Sequence, residues 1–251
     1  MPAGLPVLFC LAGAGGGPLE FARWPAAFAG KAAVVPIALP GRERRISEPI
    51  PSSVTEVANQ IISAASSFME RPFVLYGHSL GALLMYEVAA LLPPELEDNL
   101  HHLVVGAQQA PQWPQVYELF STRTDDQLIE YLRNLGGTDE EILNSAAFMK
   151  PYLSCLRADM AIAESYRYRG PAALPCPVSV LIGTDDTEVQ PGHLSDWAQE
   201  TRAGSNIVTL PGGHFNLRTH SQNVITSLLS ALPPTGAATG PKASPPTEAR
   251  R

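Results

Sequence analysis

Phe73-Val74-Leu75-Tyr76-Gly77-His78-Ser79-Leu80-Gly81 is the stretch on which the fold turns. An apolar run ends in Gly77-His78-Ser79-Leu80-Gly81, and a helix-forming segment, Ala82–Leu92, follows at once. This is G-x-S-x-G between a strand and a helix, the context in which that pattern forms a nucleophile elbow. The glycines let the backbone turn sharply without Cβ clashes, which lifts the Ser79 hydroxyl above the strand end. Ser79 then stands at a helix N-terminus, where free N–H groups and the helix dipole favour a developing negative charge. The competing reading is a structural glycine turn.

On either side of the elbow, short apolar runs alternate with longer amphipathic stretches, the rhythm of a mostly parallel α/β sheet. Val7–Leu11, Ala33–Leu39, Phe73–Gly77, Leu103–Gly106, Val178–Gly183 and Ile207–Leu210 read as strands. Ser53–Met69, Ala82–Leu92, Pro191–Thr201 and Gln222–Leu232 read as helices with one apolar face. The interval 111–171 breaks the pattern. It holds no convincing strand and carries helix-start signals at Thr124-Asp125-Asp126 and, with capping-box spacing, at Thr138 and Glu141. Helices inserted there between two strands predict a lid over the sheet's active edge; plain packing helices are the other reading. Residues 1–232 are expected to form one domain. The tail 233–251, rich in Pro, Ala and Thr, has little to bury and is expected to be disordered.

A serine hydroxyl needs a base to take its proton, and the base needs an acid to orient it. In hydrolase chain order the acid and then the histidine follow the serine. Val178–Gly183 runs into Thr184-Asp185-Asp186, and Ile207–Leu210 runs into Pro211-Gly212-Gly213-His214. Ser79, Asp186 and His214 thus each lie just past a strand, at the same sheet edge, where doubly wound folds place their chemistry. Asp186, fourth in a G-x-x-D turn, is preferred over Asp185, which is expected to bond loop amides instead. His78 is expected to pack within the elbow. His101 and His102 (before a strand), His193 (opening a helix) and His220 (before the last helix) read as surface or capping residues. An oxyanion needs two backbone donors. One is the amide of Leu80; the other comes from Leu11-Ala12-Gly13-Ala14-Gly15-Gly16-Gly17, the glycine-rich loop after the first strand. That loop is not followed by Gly-Lys-Ser/Thr, which argues against a nucleotide site.

Composition excludes other classes. The 251 residues are 45% apolar and 16% charged, an ordinary globular balance, and at this length roughly three quarters of the unfolded surface is buried. A formal charge of -7 with no concentrated basic face argues against nucleic-acid binding. Only Arg42, Arg44 and Arg45 cluster. Cys10, Cys155 and Cys176 are too few and too scattered for a disulfide framework or a zinc site, and they fit a reducing, cytoplasmic setting. The first basic residue is Arg23, unlike a signal peptide, and no apolar run approaches the ~20 residues of a membrane span.

Several segments together resemble a known family. Phe9–Gly17 with Phe21 and Trp24, Leu39-Pro40-Gly41-Arg42-Glu43-Arg44-Arg45 and Tyr76–Ala82 look like the type II thioesterases of polyketide synthase and nonribosomal peptide synthetase pathways. So do Leu156-Arg157-Ala158-Asp159 with Tyr166, Gly183–Asp186 with Trp197, and Gly212-Gly213-His214-Phe215. The medium-chain fatty-acid thioesterases are relatives of that family. The resemblance spans about residues 6 to 232.

It implies an α/β-hydrolase fold with a helical lid, a Ser79–Asp186–His214 triad, and oxyanion amides at Ala14 and Leu80. The expected reaction is hydrolysis of acyl groups from the phosphopantetheine arm of carrier proteins, releasing aberrant units that stall a synthase. No metal or diffusible cofactor is implied, since the substrate carries the phosphopantetheine. The expected partner is an acyl or peptidyl carrier domain, with no nucleic acid or membrane, and the expected state is a monomer. Arg42, Arg44 and Arg45 are a candidate carrier contact; a structural role is the alternative. Two departures stand out: Ala12-Gly13 where the family carries Pro-His, and Leu80 where Met is common. The competing functions are a small-molecule carboxylesterase with the same triad and a non-catalytic binder of acylated carriers.

Overall fold

The computed structural model describes residues 4–114 and 119–234. Six strands form one sheet: β1 Val7–Leu11, β2 Ala33–Pro36, β3 Phe73–His78, β4 Leu100–Gly106, β5 Val178–Gly183 and β6 Ser205–Leu210. Their order is β2-β1-β3-β4-β5-β6 and every neighbouring pair is parallel. Strands buried on both faces read as unbroken apolar runs, and every residue of β1 and β3 is buried. The helices are α1 Trp24–Ala27, α2 Val54–Met69, α3 Leu80–Ala90, α4 Pro94–Glu97, α5 Asp125–Leu135, α6 Glu140–Leu143, α7 Ala146–Ser165, α8 Asn216–Thr219 and α9 Ser221–Ser230.

Two layers of core cover the sheet. On one face α2 and α3 pack with Val7, Phe9, Leu11, Phe73 and Leu75. α2 follows helix grammar: the Ser53 hydroxyl accepts the Glu56 N–H, and Val54, Val57, Ala58, Ile61 and Ala65 recur at three- and four-residue spacing to make its buried stripe. The other face holds Leu8, Cys10, Val74 and Tyr76 against Phe21, Trp24, Phe28 and α9. All three cysteines are free and buried.

Strand order reverses at β1, which pairs β2 on one side and β3 on the other. The crevice at such a switch point opens outside the strands' carboxyl ends. Here it is flanked by the glycine loop after β1 and by Ser79 after β3. Helices α5, α6 and α7, between β4 and β5, build a small core from Leu128, Leu132, Leu143, Met149, Leu153 and Leu156, joined by Phe120 from the turn before α5.

Four local expectations need correction. Pro191–Thr201 is not one helix but two 3-10 segments, Pro191–His193 and Ser195–Glu200, because Pro191-Gly192 opens it with a poor helix former. The capping box lies at Thr124, whose hydroxyl accepts the Gln127 N–H while the Gln127 side chain accepts the Thr124 N–H. At Thr138 the helix starts one residue later, with Asp139 at the N-cap. His101 and His102 fall within β4 rather than before it; His102 is half-buried, bonds the Ser179 hydroxyl at 2.8 Å, and burial pushes its pKa down to about 4. Of the tail 233–251, only Pro233 and Pro234 lie within the described residues.

Candidate active site

Ser79 has φ 53° and ψ −123°, a positive-φ conformation costly for a residue with a side chain. Its neighbours impose it. The Ser79 N–H donates to the Gly106 carbonyl at 2.8 Å, and α3 begins at the next residue. Gly77 and Gly81 leave no alternative: a Cβ on Gly77 would stand 2.1 Å from the Gly81 carbonyl oxygen, and one on Gly81 would stand 2.4 Å from that of Leu11. The helix, the elbow and β1 are thus in backbone contact, and this fixes where the hydroxyl points.

The Ser79 Oγ lies 3.1 Å from Nε2 of His214, on the loop after β6. Nδ1 of His214 lies 3.1 and 3.2 Å from the two oxygens of Asp186, on the loop after β5. With Asp186 ionised, Nδ1 donates to it, leaving Nε2 as acceptor for the serine proton. The Asp186 carboxylate is fully buried, and its Oδ1 also accepts the amides of Glu188 at 2.9 Å and Val189 at 3.4 Å. Burial raises its pKa, but the hydrogen bond and charge of His214 and these amides outweigh burial and hold it below the ordinary aspartate value. The loop amides expected for Asp185 therefore go to Asp186; Asp185 is exposed.

His78 is buried behind this chain and donates from Nε2 to the His214 backbone carbonyl at 2.8 Å. Burial first, then the neighbouring His214, pushes its pKa down to about 3, so it stays neutral. His193 stacks on Trp113, ring centroids 3.7 Å apart, and His220 stands at the N-cap position of α9 without a side-chain capping bond.

A cavity of about 340 Å³ opens at the serine. Gly13, Ala14, Ser79, Leu80 and His214 line its sheet end, so the two residues expected to supply oxyanion amides share the cavity with the hydroxyl. Leu132, Leu135, Leu156, Met160 and Ala163 from the inserted helices supply an apolar wall. The sequence reading did not single out Tyr131, which also lines the cavity and donates to Glu188 at 2.7 Å. Its signal was the stripe Leu128, Tyr131, Leu132 and Leu135 on one side of α5. Arg42 is not available as a docking cation: it is 6% exposed and paired with Asp159. Arg45 bonds Glu48 and the Ala38 carbonyl. Among the described residues, no group of three His, Cys, Asp or Glu side chains could hold a metal ion, and no helix is long and apolar enough to cross a membrane.

A parallel sheet, a serine on a strained strand-to-helix turn, and a following acid and histidine at the same sheet edge define a serine hydrolase of the α/β class. Within that class the thioesterase-domain family model matches residues 6–232. The chain belongs to the thioesterase family, and it is an enzyme acting on thioesters. It is 32% identical to the gramicidin S biosynthesis protein GrsT of Aneurinibacillus migulanus, over 90% of this chain and 88% of that one. RedJ, a thioesterase of the prodiginine pathway in Streptomyces coelicolor, is 31% identical and superposes with a TM-score of 0.83, covering 92% of each chain. BorB, the type II thioesterase of the borrelidin biosynthetic cluster, gives 31% identity and a TM-score of 0.83 over 93% of this chain and 94% of its own.

Proposed function

We propose that the protein is a type II thioesterase that removes acyl groups from phosphopantetheinyl carrier domains of a polyketide synthase or nonribosomal peptide synthetase, with Ser79, His214 and Asp186 as its catalytic triad. The observation that carries this is the unbroken hydrogen-bond chain Ser79–His214–Asp186 at the mouth of an apolar cavity roofed by inserted helices. Residues 1–232 are read as one hydrolase domain whose lid is the insertion at 111–171.

The reaction has two halves. His214 Nε2 takes the Ser79 proton as Oγ attacks the thioester carbonyl, and the amides of Ala14 and Leu80 hold the oxyanion. The C–S bond breaks, the carrier thiol leaves with a proton from His214, and an acyl-serine remains. Water then attacks the acyl-serine by the same route, releasing the free acid and restoring the serine. Asp186 holds the His214 tautomer and stabilises its cation. A thiolate leaves readily, so this reaction asks less of the general acid than peptide hydrolysis does. The residues require no cofactor of their own.

The test is incubation of the protein with acetyl-, propionyl- and longer acyl-carrier proteins, read by intact mass, beside Ser79→Ala. Deacylation that disappears in the variant is the expected result. Carriers left acylated while oxygen esters are cleaved would transfer the site to a carboxylesterase. Carriers bound but never cleaved would make the protein a non-catalytic binder.

A further inference from the structure

Arg42 follows β2 in a tight loop closed by a bond from the Gly41 N–H to the Arg45 carbonyl. Its side chain turns inward and meets Asp159, which is 0% exposed in the middle of α7. The contact is a fork: one guanidinium nitrogen lies 2.6 Å from Oδ1 and the other 2.8 Å from Oδ2. Neither partner stops there. Arg42 also donates to the Gly16 carbonyl at 2.9 Å, and Asp159 Oδ2 accepts the Gly15 N–H at 2.7 Å. The pair therefore grips two consecutive residues of the glycine loop after β1, through the Ala14–Gly15 and Gly16–Gly17 peptides.

That loop has reason to be gripped. Four of the five residues 13–17 are glycine, which leaves the backbone with the greatest freedom to wander. Its near end packs on the elbow: a Cβ at Gly13 would touch the Ser79 Cβ at 3.4 Å. The Gly16 N–H closes a turn onto the Gly13 carbonyl at 2.9 Å, with Gly15 at φ +75° and the Tyr152 ring filling the space beside it. Ala14 sits inside this turn, between the elbow and the ion pair. A buried pair is often no more stabilising than apolar residues of the same volume. What this one supplies is direction, through four hydrogen bonds at fixed angles.

We propose that Arg42 and Asp159 are positioning residues for the oxyanion site, holding the Gly15 and Gly16 peptides so that the Ala14 N–H stays aimed at the reacting carbonyl, and tying that aim to the lid helix. The proposal rests on Ala14 being an oxyanion donor. It gives Arg42, the first residue of the Arg42-Glu43-Arg44-Arg45 cluster, and Asp159, the acid of Leu156-Arg157-Ala158-Asp159, one shared task.

The test replaces the pair by apolar residues of similar volume, R42M/D159L, in the full chain. The expected outcome is a folded protein whose kcat on propionyl-carrier falls about 100-fold, near the loss for one missing oxyanion donor, with KM within about threefold. Inhibition by a trifluoromethyl ketone acyl analogue, whose adduct places an oxyanion in the site, should weaken in parallel. Binding of the matching thioether, which has no carbonyl, should not change. A pair that only holds the fold together would leave the ratio of the two affinities at its wild-type value, and that result overturns the proposal. If the double variant does not fold, Arg42→Lys serves: it keeps a charge opposite Asp159 but loses the fork, and about a tenfold fall in the ratio is expected. An unchanged ratio there also overturns it. Wild-type protein that leaves carriers acylated would instead bring down the thioesterase role of Ser79, a separate result.

Discussion

His78 shows how a side chain next to the nucleophile can act without touching substrate. Its Nε2 hydrogen sits on the backbone carbonyl of His214, and its other ring nitrogen faces Gly106, where a Cβ would come within 3.1 Å. The native state has no place for a second proton, and the His78 pKa accordingly falls to about 3. In the unfolded chain the same ring takes up a proton near pH 6.5. Between those values the unfolded state binds the extra proton, so this group makes stability fall as pH falls from about 6.5 toward 3. His78→Gln, which keeps a neutral donor at about the reach of Nε2, should flatten the stability–pH curve across that window. Denaturant melts at intervals from pH 7 to 4 would check it; an unchanged slope would mean His78 is protonated in the native protein. His102, driven down to about 4 by burial, adds a similar slope in the variant and the wild type alike.

Residue chemistry was legible where it followed a strand. Ser79, Asp186 and His214 could be picked out together because each lies just past a strand, and strand ends share one edge of a parallel sheet. Asp186 was separable from Asp185 by position alone, since only the fourth residue of Gly183-Thr184-Asp185-Asp186 comes around to His214. Arg42 was left between a carrier contact and a structural role for the converse reason. Three basic residues clustered around Glu43 fit a carrier contact and a structural role alike, and the partner that buries Arg42 stands 117 positions away. No local pattern encodes that pairing. Only the resemblance marked both segments, without saying that they meet.

At the scale of elements, the inserted helices begin with α5, whose buried residues are Leu128 and Leu132. Its first turn is secured by the reciprocal bonds of Thr124 and Gln127, with Asp125 and Asp126 favourably placed at the positive end of the helix. Arg157 ties the same turn to α7 through the Arg123 carbonyl and the Asp125 carboxylate. Thr124→Ala should cost about 1 kcal/mol, concentrated in α5. Amide hydrogen exchange is the measurement: protection across Asp125–Leu135 should fall while β1 and β3 hold theirs. Equal loss everywhere would mean that lid and sheet open as one unit. The sequence placed helices here but put the capping box at Thr138, because spacing alone cannot say which of two threonines starts a longer helix. α5 runs eleven residues from Thr124; α6 manages four.

The whole molecule encloses its chamber between two structures with different duties. The sheet edge carries the serine, the histidine and the glycine loop, the serine fixed by backbone contacts and the loop held also by Arg42 and Asp159. The inserted helices bring Leu132, Leu135, Leu156, Met160 and Ala163 down onto that edge, and side-chain volume there is free to vary without moving the chemistry. At about 340 Å³ the cavity lies near the small end of ligand pockets, suited to short or medium acyl groups rather than a finished polyketide or peptide chain. Acyl length should therefore be set by the lid wall. Ala163 is the place to test this, being small, buried and on the cavity side of α7 near its C-terminal end. Ala163→Leu adds three carbons to that wall. It should leave kcat/KM for acetyl-carrier within about threefold while lowering it about tenfold or more for longer acyl chains, the scale of a few displaced methylenes. Intact-mass time courses over an acyl-length series read both numbers. An equal loss at every length would mean that the substitution disturbs the lid as a whole. An unchanged profile would mean that the acyl chain leaves the serine in another direction, along the wall formed by Leu83, Ala107 and Val189.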